Sequence, residues 1–304
     1  MSIKISQLTK TFGKQKALDQ VSFEVNPGEI LGFVGPNGAG KTTTMKILTG
    51  YIAPTSGSAF VNDKNVSKNS FDIRKEIGYL PEHNPLYPEM YVKEYLEYVS
   101  GLYGMKNVAN IRIEDIIDQT GLEKEKEKKV GALSKGYRQR VGLAQAIIHD
   151  PSVLILDEPT SGLDPNQIVE IRNLISSLGK EKTVLLSTHL MQEVEAICDR
   201  IVIINQGQIV ADDKVGEIHT RLEENKQTIQ VEFNNAVEAN SLEQIEGVNK
   251  VKKVDDSNWL IESVSKDDIR QNIFNFAVSN GLTVLSMQKK EKSVEEVFQD
   301  LTKK

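Results

Sequence analysis

The chain has a single cysteine, Cys198, in 304 residues. No disulfide can form within it, which fits a reducing compartment. Long apolar runs are also missing. None approaches the ~18 residues that a membrane-crossing helix needs, so attachment to a membrane would require another component. The amino terminus, Met1-Ser2-Ile3-Lys4-Ile5, enters a strand pattern directly and lacks the features of a secretion signal. Basic residues are not in excess. The formal net charge of −6 argues against a chain built mainly to grip nucleic-acid phosphates, so no nucleic-acid partner is expected, although a local basic patch stays open. Internal repeats and low-complexity segments are absent. Trp259, the lone tryptophan, sits in a strand pattern and is expected in a core.

What is present describes an ordinary globular chain, 39% hydrophobic and 26% charged. Its length exceeds the usual single domain, so two are expected. Strand-like runs at Ile3–Ile5, Val21–Val25 and Ile30–Val34 open the chain, and a helix is expected over 41–48. Residues 70–132 differ in texture. Tyr91, Tyr95, Val99 and Leu102 recur at helical spacing, and the charge-rich run 122–129 reads as a solvated helix end. From 133 to 212 helices and continuous apolar strands alternate, as buried parallel strands do, and Gln206-Gly207 marks a hairpin turn. Composition shifts at 216–226, a polar linker. Residues 227–304 then read β-α-β-β-α-β plus a final helix, the split-βαβ pattern of ferredoxin-like domains.

The most informative stretch is Ile30-Leu31-Gly32-Phe33-Val34-Gly35-Pro36-Asn37-Gly38-Ala39-Gly40-Lys41-Thr42-Thr43. A strand, a glycine-rich loop and a helix start follow one another, and Gly35, Gly40, Lys41 and Thr42 match G-x-x-x-x-G-K-[ST]. Glycines let backbone N–H groups turn inward as an anion nest, and the helix start adds unpaired N–H groups and a positive dipole end. Gly35 through Thr43 are therefore the expected nucleotide-binding residues. Lys41 would reach the terminal phosphates, and the Thr42 hydroxyl would join a magnesium shell. Further on, Val153–Leu156 run into Asp157 and Glu158, two carboxylates at the end of a buried strand, where ligands gather in open α/β sheets. Asp157 is suited to hold Mg2+ through water, and Glu158 to orient or deprotonate an attacking water.

These residues, with Leu133-Ser134-Lys135-Gly136-Tyr137-Arg138-Gln139-Arg140, Glu158-Pro159-Thr160-Ser161-Gly162-Leu163-Asp164 and Ser187-Thr188-His189, resemble the ABC (ATP-binding cassette) ATPases over about residues 2–212. The resemblance implies an α/β P-loop NTPase of ABC type over 1–215, with a helical subdomain inserted at about 83–145. A linker at 216–226 and a small α+β ferredoxin-like domain at 227–304 follow. It also implies ATP and Mg2+. Phe12 would stack on the adenine, Glu82 would join Thr42 and Asp157 at the metal, and Glu158 and His189 would be catalytic. Ser134, Lys135 and Gly136 would meet the γ-phosphate bound by a second copy, and Asp164 would couple the two sites of a head-to-tail homodimer. Competing readings stay open: Phe12 as a core residue, and Ser134 as a helix N-cap, which is compatible with phosphate contact.

Two departures narrow the resemblance. Glu82 stands where the family carries a glutamine, and Lys135 and Tyr137 where glycine and glutamine are usual. Lys135 adds a cation near the shared nucleotide. Gly78–Tyr87 and Leu133–Tyr137 look like the ABC-2 type export ATPases, and within them the gliding-motility-associated ATP-binding subunits. That implies a separate transmembrane permease docking beside Glu82 and the helical insertion, with this chain cytoplasmic and peripheral on the inner membrane's cytoplasmic face. The alternatives are a soluble ABC ATPase acting on ribosomes or DNA, or an importer ATPase gated by its C-terminal domain.

Overall fold

The computed structural model describes residues 1–105, 109–218, 227–264, 268–290 and 294–302. Contacts divide the chain into two compact units, Met1–Val215 with Leu301–Lys304, and Gly216–Asp300. Most of the stretch expected as a linker, 219–226 with His219, lies outside the described residues.

In the first unit β1 (Ile3–Phe12), β2 (Gln15–Val25), β4 (Ser56–Val61) and β5 (Lys64–Asn65) form an antiparallel sheet in the order β2-β1-β4-β5. A second sheet holds β3 (Ile30–Val34), β6 (Ile77–Leu80), β7 (Val153–Asp157), β8 (Thr183–Thr188), β9 (Arg200–Asn205) and β10 (Gln208–Lys214) in the order β10-β9-β3-β8-β7-β6. Five of these strands run parallel, and only β10 is antiparallel, at the edge. Every residue of β3, β7 and β8 is buried, which is why these strands read as unbroken apolar runs. The β9–β10 hairpin turns through Gln206 at φ 49° and Gly207 at φ 78°, the double left-handed geometry of a type I′ turn. One apolar core links both sheets to α1 (Lys41–Leu48), with Phe33, Met45 and Leu48 at full burial and Phe23 stacked on Phe33 at 5.0 Å.

Between β6 and β7 lie α3 (Val92–Leu102), α4 (Ala109–Gln119) and α5 (Lys135–Ile147). Of the residues at helical spacing, Val92, Tyr95, Leu96 and Val99 are buried on one face of α3, whereas Tyr91, its N-cap, and Leu102, its last residue, are exposed. Two helices went unrecognised in the sequence, α2 (Ser70–Glu76) and α4. The charge-rich run 122–129 is a succession of turns rather than a helix end. Its carbonyls at Lys126 and Lys128 accept from the N–H groups of Lys93 and Val92 at the start of α3, and Glu125 is nearly buried beside Lys128. Past β7 come α6 (Pro165–Gly179) and α7 (Met191–Ile197). Cys198 follows α7 with its Sγ packed against Gly32 of β3, and burial pushes its thiol pKa up, so it is core.

The second unit contains β11 (Gln227–Phe233), α8 (Ala239–Glu243), β12 (Lys250–Lys253), β13 (Asn258–Ser263), α9 (Arg270–Ser279), β14 (Val284–Lys290) and all but the last two residues of α10 (Val294–Thr302). The antiparallel order β12-β13-β11-β14 is that of a ferredoxin-like sheet, with Trp259 in the core beside Phe233 and Ile261.

His149, just after α5, joins the helical insertion to β6. Its ring stacks on Tyr103 at 3.8 Å, and Nε2 lies 3.1 Å from the Ile77 carbonyl. Burial lowers its pKa from 6.5 to about 4, against the smaller opposing effect of the Ile77 carbonyl. The native state therefore keeps His149 neutral while the unfolded chain takes up a proton. Stability is full above about pH 6.5 and falls as pH drops toward 4. Replacing His149 with Phe, which keeps the stack, is expected to reduce that loss by about 2 kcal/mol, read from urea unfolding at pH 7 and pH 4.5; an unchanged pH dependence would contradict the assignment.

Candidate functional site

The loop from Gly35 to Gly40 joins β3 to α1. A Cβ on Gly35 would lie 2.3 Å from the Ile204 carbonyl oxygen. Gly40, the N-cap of α1, has φ 116°, and a Cβ there would lie 2.6 Å from Leu18. Only glycine fits both positions. No side chain caps this end of α1, which leaves its first N–H groups for an anion.

Around the loop is a cavity of about 510 Å3, lined by residues from five places in the chain. Pro36, Asn37, Gly38, Gly40, Lys41, Thr42 and Thr43 come from the loop and α1, Phe12 from the end of β1, and Glu82 from the segment after β6. Glu158 follows β7, and His189 follows β8. Phe12 is 51% exposed, so it is not a core residue; the Lys10 ammonium lies 5.0 Å from its ring centroid.

Lys41 is buried, and its ammonium donates to the Gly35 carbonyl at 2.7 Å and pairs with Glu158 Oε1 at 3.3 Å. Glu158 Oε2 is 2.8 Å from His189 Nδ1. The carboxylate reaches both because Glu158 sits at φ 51°, a left-handed conformation uncommon for a side chain of this size, immediately after β7 ends. Ser187 holds this turn. The β7–β8 register places it opposite Asp157, and its hydroxyl donates to Asp157 Oδ1 at 2.5 Å and accepts from the Glu158 N–H at 3.1 Å.

Asp157 is fully buried. Burial raises its carboxyl pKa, while hydrogen bonds from Ser187 and Thr42 and the Lys41 charge oppose the rise, and Glu82 adds to it. Its Oδ2 has no hydrogen-bond partner. A buried carboxylate oxygen left open beside the Thr42 hydroxyl fits a hydrated divalent cation. Among the described residues no cluster of three or more His, Cys, Asp or Glu could hold a metal alone, so Mg2+ here would depend on ligand oxygens, as it does in phosphate sites.

The remaining expected residues gather elsewhere. Ser134 is the N-cap of α5, its Oγ accepting from the Tyr137 N–H at 3.3 Å. Asp164 caps α6, accepting from the Gln167 N–H at 3.0 Å. The two helix starts touch. The Gln167 side chain fills the space a Cβ on Gly136 would need, and the Lys135 ammonium covers Gly162, whose φ is 68°. Ser134, Lys135, Gly136 and Asp164 therefore form a second cluster and do not line the cavity around Lys41.

Sequence reasoning passed over Ser187 as a separate group, and it passed over Glu193. The latter is a fully buried carboxylate on α7 that accepts from the Thr160 and Thr188 hydroxyls. An acid inside the apolar helix pattern of Met191 and Val194 was the available signal. A wider groove of about 750 Å3 lies on the other side of Glu82, lined by Tyr51, Arg74, Tyr79, Asn84, Tyr103 and Gln145 among others.

Comparison with known proteins agrees with this geometry. Residues 18–161 match the ABC transporter family model. The chain is 35% identical over 301 residues to the bacitracin transport ATP-binding protein of Bacillus licheniformis, covering 97% of this chain and 95% of that protein. It is 38% identical to the Nod factor export ATP-binding protein I of Burkholderia pseudomallei over 69% of this chain and 70% of that one. Among solved structures, a dimeric ATP-binding cassette in a post-hydrolysis state bound to ADP and Pi is 26% identical with a TM-score of 0.63. It covers 70% of this chain and 98% of its own.

The Ser187 hydrogen bonds carry a prediction. Ser187→Ala removes the hydroxyl that donates to Asp157 and shares the Glu158 N–H with the Ser187 carbonyl, so kcat for ATP should fall about 10-fold or more with little change in nucleotide affinity. Unchanged kcat in steady-state hydrolysis would contradict this role.

Proposed function

This chain belongs to the ABC transporter ATP-binding subunits and is an ATPase, and we propose that it powers a membrane exporter as one half of a head-to-tail homodimer. The observation that carries the dimer is the separation of the two clusters. The cavity is lined by Lys41, Thr42, Glu158 and His189, while Ser134, Lys135 and Gly136 sit apart at the start of α5, packed against the start of α6. Two copies facing each other would complete each nucleotide with groups from both.

In this reading Phe12 stacks on the adenine, and the N–H groups of Gly38 to Thr43 hold the phosphates. Thr42 and Asp157, with Glu82 nearby, hold Mg2+, which when bound neutralises phosphate charge. Phosphate oxygens compete with Glu158 for the Lys41 ammonium and so release Oε1 to orient a water. His189 keeps the other carboxylate oxygen in place. Lys135 and Asp164 meet the partner copy, with Lys135 adding a cation that the family's usual glycine lacks.

The export direction rests on relatives named for bacitracin transport and Nod factor export. The sequences of Gly78–Tyr87 and Leu133–Tyr137 support a place near the gliding-motility-associated subunits. No helix among the described residues is long and apolar enough to cross a membrane. In this reading a separate permease spans the membrane, as the relatives' transport names suggest, docking in the groove beside Tyr79 and Asn84 and holding this chain at the cytoplasmic face of the inner membrane.

Co-expression with a candidate multi-span membrane protein tests this reading. The chain should be recovered with detergent-solubilised membranes. Tyr51→Asp, at a side chain 76% exposed on the groove rim, should cut that recovery several-fold without changing basal hydrolysis. Equal recovery of the variant would count against the groove.

A further inference from the structure

Glu193 is 0% exposed, although a carboxylate is costly to remove from water. Its position accounts for the burial. Oε2 accepts from the Thr188 hydroxyl at 2.6 Å, and Oε1 accepts from the Thr160 hydroxyl. Both threonines are themselves buried. The Thr188 oxygen accepts in turn from the Leu190 N–H at 3.0 Å, and the Glu193 N–H donates to the Leu190 carbonyl at 3.1 Å. The residues on either side of His189 are thus tied into one small ring closed by Glu193. Thr160, two residues past Glu158, is tied to the other oxygen of the same carboxylate.

We infer that Glu193 is a positioning residue for hydrolysis, on the reading of this chain as an ATPase that uses Glu158 and His189. It sets the 2.8 Å approach of His189 Nδ1 to Glu158 Oε2 by holding the backbone that carries each. It also anchors the start of the turn from Thr160 to Asp164, so a displacement of that turn is transmitted to His189 through two hydrogen bonds. A carboxylate suits the place because both hydroxyls donate. The Thr188 oxygen already accepts from Leu190, which directs its proton to Glu193, and an amide offers only one acceptor oxygen where two are used.

Kinetics on the purified full-length chain test the inference. Glu193→Ala should lower kcat for ATP by about 10–100-fold while KM and the affinity for a fluorescent ATP analogue with Mg2+ stay nearly constant. Glu193→Gln, which keeps the volume and one of the two acceptors, should recover part of the loss. In a His189→Ala background Glu193→Ala should add far less than in the wild type, because the Glu158–His189 contact it sets is already gone. Thermal unfolding is followed for every variant. Should Glu193→Ala fail to fold, Thr188→Val, which leaves the carboxylate in place, makes the same comparison. A folded Glu193→Ala chain with wild-type kcat overturns the inference, as does a loss that multiplies with that of His189→Ala. Absence of hydrolysis by the wild-type chain would instead overturn the reading beneath it.

Discussion

A lysine ammonium and a glutamate carboxylate, both nearly shielded from water, face each other at 3.3 Å in the phosphate-loop cavity. Burying either alone would be prohibitive. The pair is tolerable because the Gly35 carbonyl accepts from the ammonium and His189 meets the second carboxylate oxygen. Each of these groups stands at the carboxyl end of a different parallel strand: Gly35 and Lys41 beyond β3, Glu158 beyond β7, His189 beyond β8. The registers Val34 with Thr188 and Asp157 with Ser187 bring the three strand ends level. The sheet thereby places charge where no single segment could hold it, and an anion entering the cavity meets a cation whose present partner it can replace.

The supports around this pair are short and local. Ser187 steadies the left-handed turn at Glu158, Glu193 secures the backbone on both sides of His189, and Gly40 opens the first turn of α1. Neither Ser187 nor Glu193 lines the cavity or would touch a nucleotide directly. Their role is to keep the contacting groups within a few tenths of an ångström, which is the scale on which orientation affects rate. The cluster of Ser134, Gly136, Gly162 and Gln167 is built in the same way, two capped helix starts packed together, and it too has no access to the cavity of its own chain.

Much of this was legible in the sequence for a physical reason. A phosphate loop needs glycine at points where a Cβ meets backbone, and Gly35 and Gly40 announce themselves by fixed spacing. Buried parallel strands must be apolar on both faces, so β3, β7 and β8 stand out. The alternation over residues 227–304 was enough to draw the ferredoxin-like order. Helix α2 escaped because it is short and buries one apolar residue, Ile73; α4 carries Ile113, Ile116 and Ile117 at helical spacing, all buried, so its period was there to be read. The run from Leu122 to Lys129 looked solvated by composition, yet its backbone carbonyls hold the start of α3, a role that side-chain identity does not reveal. Glu193 escaped for a related reason: its importance comes from two threonines 33 and 5 residues away in sequence, brought to it only by the fold.

The account turns on a nucleotide shared between two copies, so the most direct measurement is the size of the Glu158→Gln chain in solution. That substitution keeps the side-chain volume and removes the charge needed to activate water, so bound ATP persists. With ATP and Mg2+ the variant should elute at the mass of a dimer, and with ADP at that of a monomer. A chain that binds ATP and remains monomeric in both would contradict the shared site.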